Sequence, residues 1–190
     1  MKRSLGARPI LFPTPVLAVG TYDKEGKPNV MIVAWGGICC SQPPSVAISV
    51  RKATYTYSSL MEKRVFTISI PSEEHLKEAD YFGMVSGRQE DKFQATGLTP
   101  EKAEHIDAPY VKEFPVVLEC RVTHITEIGL HTQFIGEIVD VKVDEDKLDE
   151  NKRPDIEKIK PFFFVPETRL YYATGRFLGK AFASGKELKK

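Results

Sequence analysis

Apolar positions in this chain alternate with polar ones or form brief unbroken stretches, and helical spacing is the exception. Residues 16–21 are an apolar run leading into Asp23-Lys24-Glu25-Gly26, a hairpin-like turn, and 29–35 continue as a second strand. Residues 46–50 make a short apolar strand. Over 64–70, Val65, Thr67 and Ser69 alternate against Phe66, Ile68 and Ile70. Residues 116–128 and 130–143 flank Gly129 and read as a long antiparallel hairpin, with 171–173 as a last short strand.

Helical signals are fewer. Residues 56–63 fit a short helix between strands. Residues 72–82 open on Ser72 followed by Glu73 and Glu74, where carboxylates suit free amides, and Leu76 and Ala79 supply an apolar side with Phe82 or Met84. A further short helix fits 88–95. Residues 144–160 are strongly charged and read as a solvated excursion. Many short strands with few crossover-length helices argue against a doubly wound fold and for a closed or nearly closed antiparallel barrel. No internal repeat is visible, and the 190 residues fit one domain.

Composition narrows the function. Lys and Arg number 27 against 26 Asp and Glu, a net charge of +1, which does not suit a protein built to coat nucleic acid. The apolar fraction of 42% is enough for a packed core. Residues 28–50 carry no charge, a length that could span a membrane, yet Gly36, Gly37, Gln42, Pro43 and Pro44 would break a spanning helix. The expectation is therefore two buried strands around a loop in a soluble protein. The basic N-terminus is interrupted by Pro9, Pro13 and Pro15 and does not read as a signal peptide. Cys39, Cys40 and Cys120 are odd in number and lack a CxxC, which suits a reducing, cytoplasmic setting.

The familiar nucleotide and hydrolytic motifs are missing. No GxGxxG follows the first strand, and no GxxxxGK[ST] is present. His75, His105, His124 and His131 are scattered, without HExxH or zinc-like spacing, so no metal is expected. His124 and His131 could approach each other across the late hairpin but read as ordinary sheet histidines. Cys120 reads as a small buried hydrophobe.

The first third of the chain carries the candidate chemistry. Asn29 begins a strand that ends on Trp35, and the uncharged segment 36–44 offers backbone amides with little side-chain bulk. The next strand ends at Ser49-Val50-Arg51-Lys52, and Thr54-Tyr55-Thr56 precede the helix. Arg51 and Lys52 can neutralise a phosphate, Thr54 or Thr56 can donate a hydroxyl, and the helix adds free amides. The same residues fit a bland reading of core indole, solvated strand end and helix cap. A second cluster, 83–93, is polar and glycine-containing and suits a loop folded over a site, with Arg88 or Lys92 able to approach phosphate.

These clusters resemble the flavin reductase-like, FMN-binding split-barrel family, particularly its flavoredoxin branch. The matching pieces are Pro13-Thr14-Pro15-Val16, Gly20-Thr21-Tyr22-Asp23, Gly26-Lys27-Pro28-Asn29-Val30, Ala34-Trp35, Pro43-Pro44, Ser49-Val50-Arg51-Lys52 and Tyr55-Thr56. Ser86-Gly87-Arg88, Asp91-Lys92-Phe93, Gly136-Glu137-Ile138-Val139, Tyr171-Tyr172 and the stretch 175–185 follow in order. Ser69-Ile70-Pro71 departs from the family, which often has Asn before that proline.

The resemblance implies a mainly β, six-stranded Greek-key split barrel with short peripheral helices, assembled as a homodimer with FMN near the subunit interface. It implies a phosphate group held by Arg51, Lys52 and Thr56, with Asn29 and Met31 along the ribityl chain. It also implies an isoalloxazine lined by Ala34, Trp35, Gly36 and Cys39, a contact from Ser49, and an approaching loop carrying Ser86, Gly87 and Lys92. The implied activity passes electrons from NAD(P)H, a transient co-substrate, through FMN to free flavin, a ferric complex or a redox protein. An FMN electron carrier that does not oxidise NAD(P)H is the alternative, and a cofactor-free interaction protein a third reading.

Overall fold

The computed structural model describes residues 1–188. Its main sheet is antiparallel throughout and contains β2 (Leu17–Tyr22), β3 (Pro28–Val33), β4 (Gly36–Ser41), β5 (Pro44–Arg51), β6 (Val65–Ile70), β9 (Val116–Ile128) and β10 (His131–Val143). The strands lie in the order β3-β2-β6-β9-β10-β5-β4. A smaller sheet of β1 (Thr14–Pro15), β11 (Phe162–Val165) and β12 (Leu170–Ala173) and a ribbon of β7 (Pro100–Lys102) and β8 (Pro109–Val111) accompany it. The two edges of the main sheet, β3 and β4, are consecutive in the chain, joined only through Ala34 and Trp35.

Both faces of β2 and β3 are covered, which explains their unbroken apolar character. Leu17, Val19 and Val33 enter one cluster with Ile48, Phe66, Ile68, Cys120 and Phe134. Val16, Ala18 and Val30 turn the other way, against Phe82, Phe93, Phe114 and Phe162. Phe82 comes from α2 (Leu76–Met84) and Phe93 from α3 (Lys92–Thr96), so these helices close the outer face of β3. A third helix, α1 (Tyr55–Lys63), connects β5 to β6.

The hairpin β9–β10 is the longest pairing, with register shifts at Ile135/Gly136 and Ile138/Asp140. Gly136 is dictated by packing: a Cβ there would stand 2.7 Å from Phe66 Cζ. On β9, Glu119 is fully buried and accepts from the amides of Glu104 (3.1 Å) and His105 (2.7 Å) and from Lys142 Nζ (2.7 Å). Burial would raise this carboxyl, but the Lys142 ammonium and the two amides hold it below the usual range. Its bonds tie the segment 103–108 to the sheet.

Several expectations need correction. The main sheet has seven hydrogen-bonded strands, not six, because 36–41 is strand β4 instead of a loop. Its glycines signal a turn, yet the free edge of β5 satisfies its backbone groups, with Cys39 left between paired Ile38 and Cys40 as a bulge. Ser72 does not cap a long helix. A 3-10 turn, Glu73–His75, intervenes, and the Ser72 hydroxyl meets His75 Nδ1 at 3.4 Å. Leu76 and Met84 are exposed, while Ala79 and Phe82 make the buried side of α2. Strands β1, β7, β8 and β11 escaped the pattern because they are short, and all four contain or adjoin proline. The charged excursion is largely solvated but contains α4 (Ile156–Ile159), capped by Asp155 and anchored by buried Ile159.

Candidate functional site

The first turn of α1, the outer face of β3 and the segment 85–87 enclose a cavity of about 210 Å³. Thr54 stands at the N-cap, but its hydroxyl donates back to Arg51 O (2.9 Å) and makes no bond to the helix amides. No acidic residue occupies the first turn, so the amides there face the cavity uncompensated. Thr56 is buried, and its Oγ1 accepts from Asn29 Nδ2 at 2.9 Å, leaving the hydroxyl proton available.

Opposite them lies Lys92, the first residue of α3, at 5% exposure. Its Nζ donates to Val30 O and Phe82 O, 2.8 Å each. No carboxylate pairs with it among the described residues. Burial lowers this amine to about 8. Two of its three ammonium protons are spent on these carbonyls, which leaves a third as a donor at the cavity.

The segment over the cavity is clasped from both sides. Arg88 Nη1 donates to Ala53 O (3.0 Å) and its guanidinium lies over the Tyr55 ring. Tyr55 OH donates to Asp23 (2.7 Å), a bond that with burial pushes the phenol up to about 12. Gly87 is packed so closely that a Cβ there would collide with Asn29 Oδ1.

Ile32, Gly83 and Met84 line both this cavity and a trough of about 410 Å³, whose other walls include Ala34, Trp35, Asp80, Phe164 and Arg169. Tyr171 OH donates to Asp80 Oδ1 (2.8 Å) at its rim. On the other side of Trp35 lies a third cavity, of about 390 Å³, beneath residues 8–15.

The predicted residues distribute unevenly. Asn29, Met31, Thr56, Ser86, Gly87 and Lys92 line the small cavity. Ala34 and Trp35 line the trough, and Gly36 joins them in the third cavity. Ser49, Arg51, Lys52 and Cys39 line none of the three. Ser49 donates its amide to Trp35 O (2.8 Å), and exposed Arg51 sits opposite His131 in the ladder. Lys52 pairs with Glu127 at 2.7 Å, and that bond raises its pKa. Cys39 is exposed on β4. His124 and His131 face Ile135 and Ile128, not each other, and no metal-holding group of His, Cys, Asp or Glu exists among the described residues.

Sequence reasoning missed Ile32, Phe164 and Asp80. Ile32 was legible as the outward residue of a strand buried on both faces. Phe164 and Asp80 were not, because β11 and the orientation of α2 come from packing alone.

The site has a buried cation at one end, and at the other a trough walled mainly by apolar side chains with Asp80 and Arg169 among them. A model of the flavin reductase like domain matches residues 9–179. The structure of flavoredoxin of Desulfovibrio vulgaris (Miyazaki F) is 58% identical, with a TM-score of 0.94 over 98% of this chain and 100% of that one. The flavoredoxin from Methanosarcina acetivorans is 30% identical, with a TM-score of 0.93 over 100% of each chain. An uncharacterised protein of Archaeoglobus fulgidus is 35% identical over 115 residues, 60% of this chain and 65% of that one. The chain belongs to the flavin reductase-like, FMN-binding split-barrel family, and within it is similar to the flavoredoxins. No helix among the described residues is long and apolar enough to cross a membrane.

Proposed function

We propose that this chain binds FMN and passes electrons from NAD(P)H through it to a small-molecule or protein acceptor. The observation carrying this reading is the buried Lys92 ammonium in the cavity at the uncapped first turn of α1, next to a trough at Trp35 that shares Ile32, Gly83 and Met84 with that cavity. The residues fit the group. Buried Lys92, the Thr56 hydroxyl and the uncapped amides of α1 would hold the phosphate. Asn29 and Met31 would run along the ribityl chain, and Ile32, Ala34, Trp35 and Phe164 would shield the ring from water. Bound FMN supplies hydride acceptance and electron release. Asp80, held by Tyr171, is the carboxylate at the trough rim, and no nucleophile is required of the chain.

Ser86 and Gly87, clasped over the cavity by Arg88, would retard cofactor loss. Arg51 and Lys52 would act only at longer range, because the Lys52 charge is already engaged by Glu127. The ring of strands would close as a six-stranded split barrel if β3 and β4 are counted as one bent strand. A homodimer is part of the reading. It is supported by β4, an edge strand without charge whose Ile38 is 68% exposed. Exposed free thiols at Cys39 and Cys40 suit a reducing cytoplasm.

The test is the visible spectrum of the purified protein before and after anaerobic NADH and NADPH. Flavin bands that bleach with nucleotide support the reductase. Bands that bleach only with dithionite favour an electron carrier without NAD(P)H oxidation, and a colourless protein that takes up no added FMN overturns the reading.

A further inference from the structure

After β12 the chain continues as an arm that carries large apolar side chains into solvent. Every residue of 174–186 is exposed, and among the described residues the arm's hydrogen bonds run only within 180–188. Phe177, Leu178 and Phe182 are 72%, 87% and 100% exposed. Phe182 also holds a φ of +58°, in the left-handed region that bulky residues rarely occupy. Nothing within one copy accounts for its ring or for its backbone. Apolar groups gathered in this way mark a surface that meets another molecule.

One edge of the main sheet presents the complementary face. β4 bonds only to β5 and leaves its other side free. Residues 36–44 carry no charge, 37–44 are all exposed, and Ile38 stands among them. The charged side chains that usually guard such an edge are missing from it.

Charge separates between arm and body. Residues 174–190 hold Arg176, Lys180, Lys186, Lys189 and Lys190 against Glu187, whereas residues 16–173 hold 19 Lys and Arg against 25 Asp and Glu. A basic arm and an acidic body attract each other between copies of one chain. Fully extended, the arm from 174 to 188 reaches about 50 Å, enough to cross onto a neighbouring molecule.

We propose that the C-terminal arm of one copy docks along β4 of a second copy, with Phe177, Leu178 and Phe182 covering Ile38. The exchange is reciprocal about a two-fold axis, so each copy both gives and receives an arm. This rests on the homodimer in the reading above and names the surfaces that hold it. It is independent of FMN.

The test is light scattering after gel filtration, over a range of protein concentration, for the full chain and for Phe177→Ser/Phe182→Ser and Ile38→Ser. These side chains are exposed in one copy, so the variants should keep the thermal melt of the isolated fold, and Phe182→Ser alone serves if the pair does not. The expected result is a dimer whose dissociation midpoint rises at least about tenfold in each variant. Combining the arm and Ile38 substitutions should cost little more than either, because both break one contact. A full chain that stays monomeric overturns the homodimer and this proposal together. A dimer with the same midpoint in the arm variants overturns the proposal and leaves the homodimer standing. Fully additive losses would seat the arm away from β4 and overturn it equally. Arm-dependent pelleting of a monomer with phosphatidylglycerol vesicles would assign the arm to a lipid surface instead, against the proposal.

Discussion

Asn29 and Thr56, 27 residues apart in the chain, meet inside the protein, with the Asn29 Nδ2 donating to the Thr56 hydroxyl at 2.9 Å. The bond joins the start of β3 to the first turn of α1 and fixes the floor of the anion cavity. Thr56→Ala removes both a donor to the phosphate and the acceptor for a buried amide. Retained FMN should fall, with Kd weaker by about 1.5–3 kcal/mol, roughly tenfold to a hundredfold. Thr56→Ser keeps the hydroxyl and should stay near wild type. Flavin absorbance after gel filtration, with a thermal melt to confirm folding, makes the comparison.

Lys92 should give FMN affinity a pH dependence of definite sign. Its amine is lowered to about 8 in the unliganded protein. Below that pH the cation is already present; above it, binding must take up a proton. Kd should therefore rise above about pH 8, approaching tenfold per unit at most. Lys92→Met should weaken binding by about 2–5 kcal/mol and flatten the dependence. Stability of the unliganded protein should move the other way, increasing as pH rises from about 8, because the unfolded lysine keeps its proton to higher pH. Fluorescence titration of FMN and denaturant melts over the same range read both effects.

Glu119 carries a stability prediction remote from the site. Its carboxylate accepts from Lys142 and from the amides of His105 and Glu104 while fully buried. Glu119→Ala should cost about 2–4 kcal/mol, moderated because Lys142 retains Asp140 at 2.6 Å. The carboxyl is held below its ordinary value, so its stabilisation is complete above about pH 4.5 and is lost as pH falls through the lowered value. The acid limb of wild-type stability should accordingly be steeper than that of Glu119→Gln in urea melts.

The three thiols should separate by environment. Cys39 and Cys40 are exposed on β4, whereas Cys120 is buried and its thiol is pushed up to about 12 by burial and the neighbouring Glu119 charge. Titration with a disulfide reagent should reach Cys39 and Cys40 before Cys120, fastest where β4 carries no partner strand, with Cys120 appearing only in denaturant. Three fast equivalents would mean that β9 opens at Cys120.

By itself the sequence determined the strands with strong local pattern. The turn at 23–26, the alternation of 64–70 and the long hairpin around Gly129 each carry their own periodicity, and each stands in the fold. It also marked Asn29 and Thr56 at the strand start and the helix start, and Gly87 and Lys92 in the polar loop 83–93, with their binding roles implied by the family resemblance. Tertiary structure alone decided which cation faces the cavity. Lys52 and Lys92 are equivalent as letters, but β10 follows β9 so as to bring Glu127 to Lys52, while α2 and β3 bury Lys92 among carbonyls. It likewise decided that the glycine-rich 36–41 pairs as β4, because the free edge of β5 supplied partners that no local rule could see. Charge and periodicity are properties of the chain, but burial and pairing belong to the neighbours that folding brings.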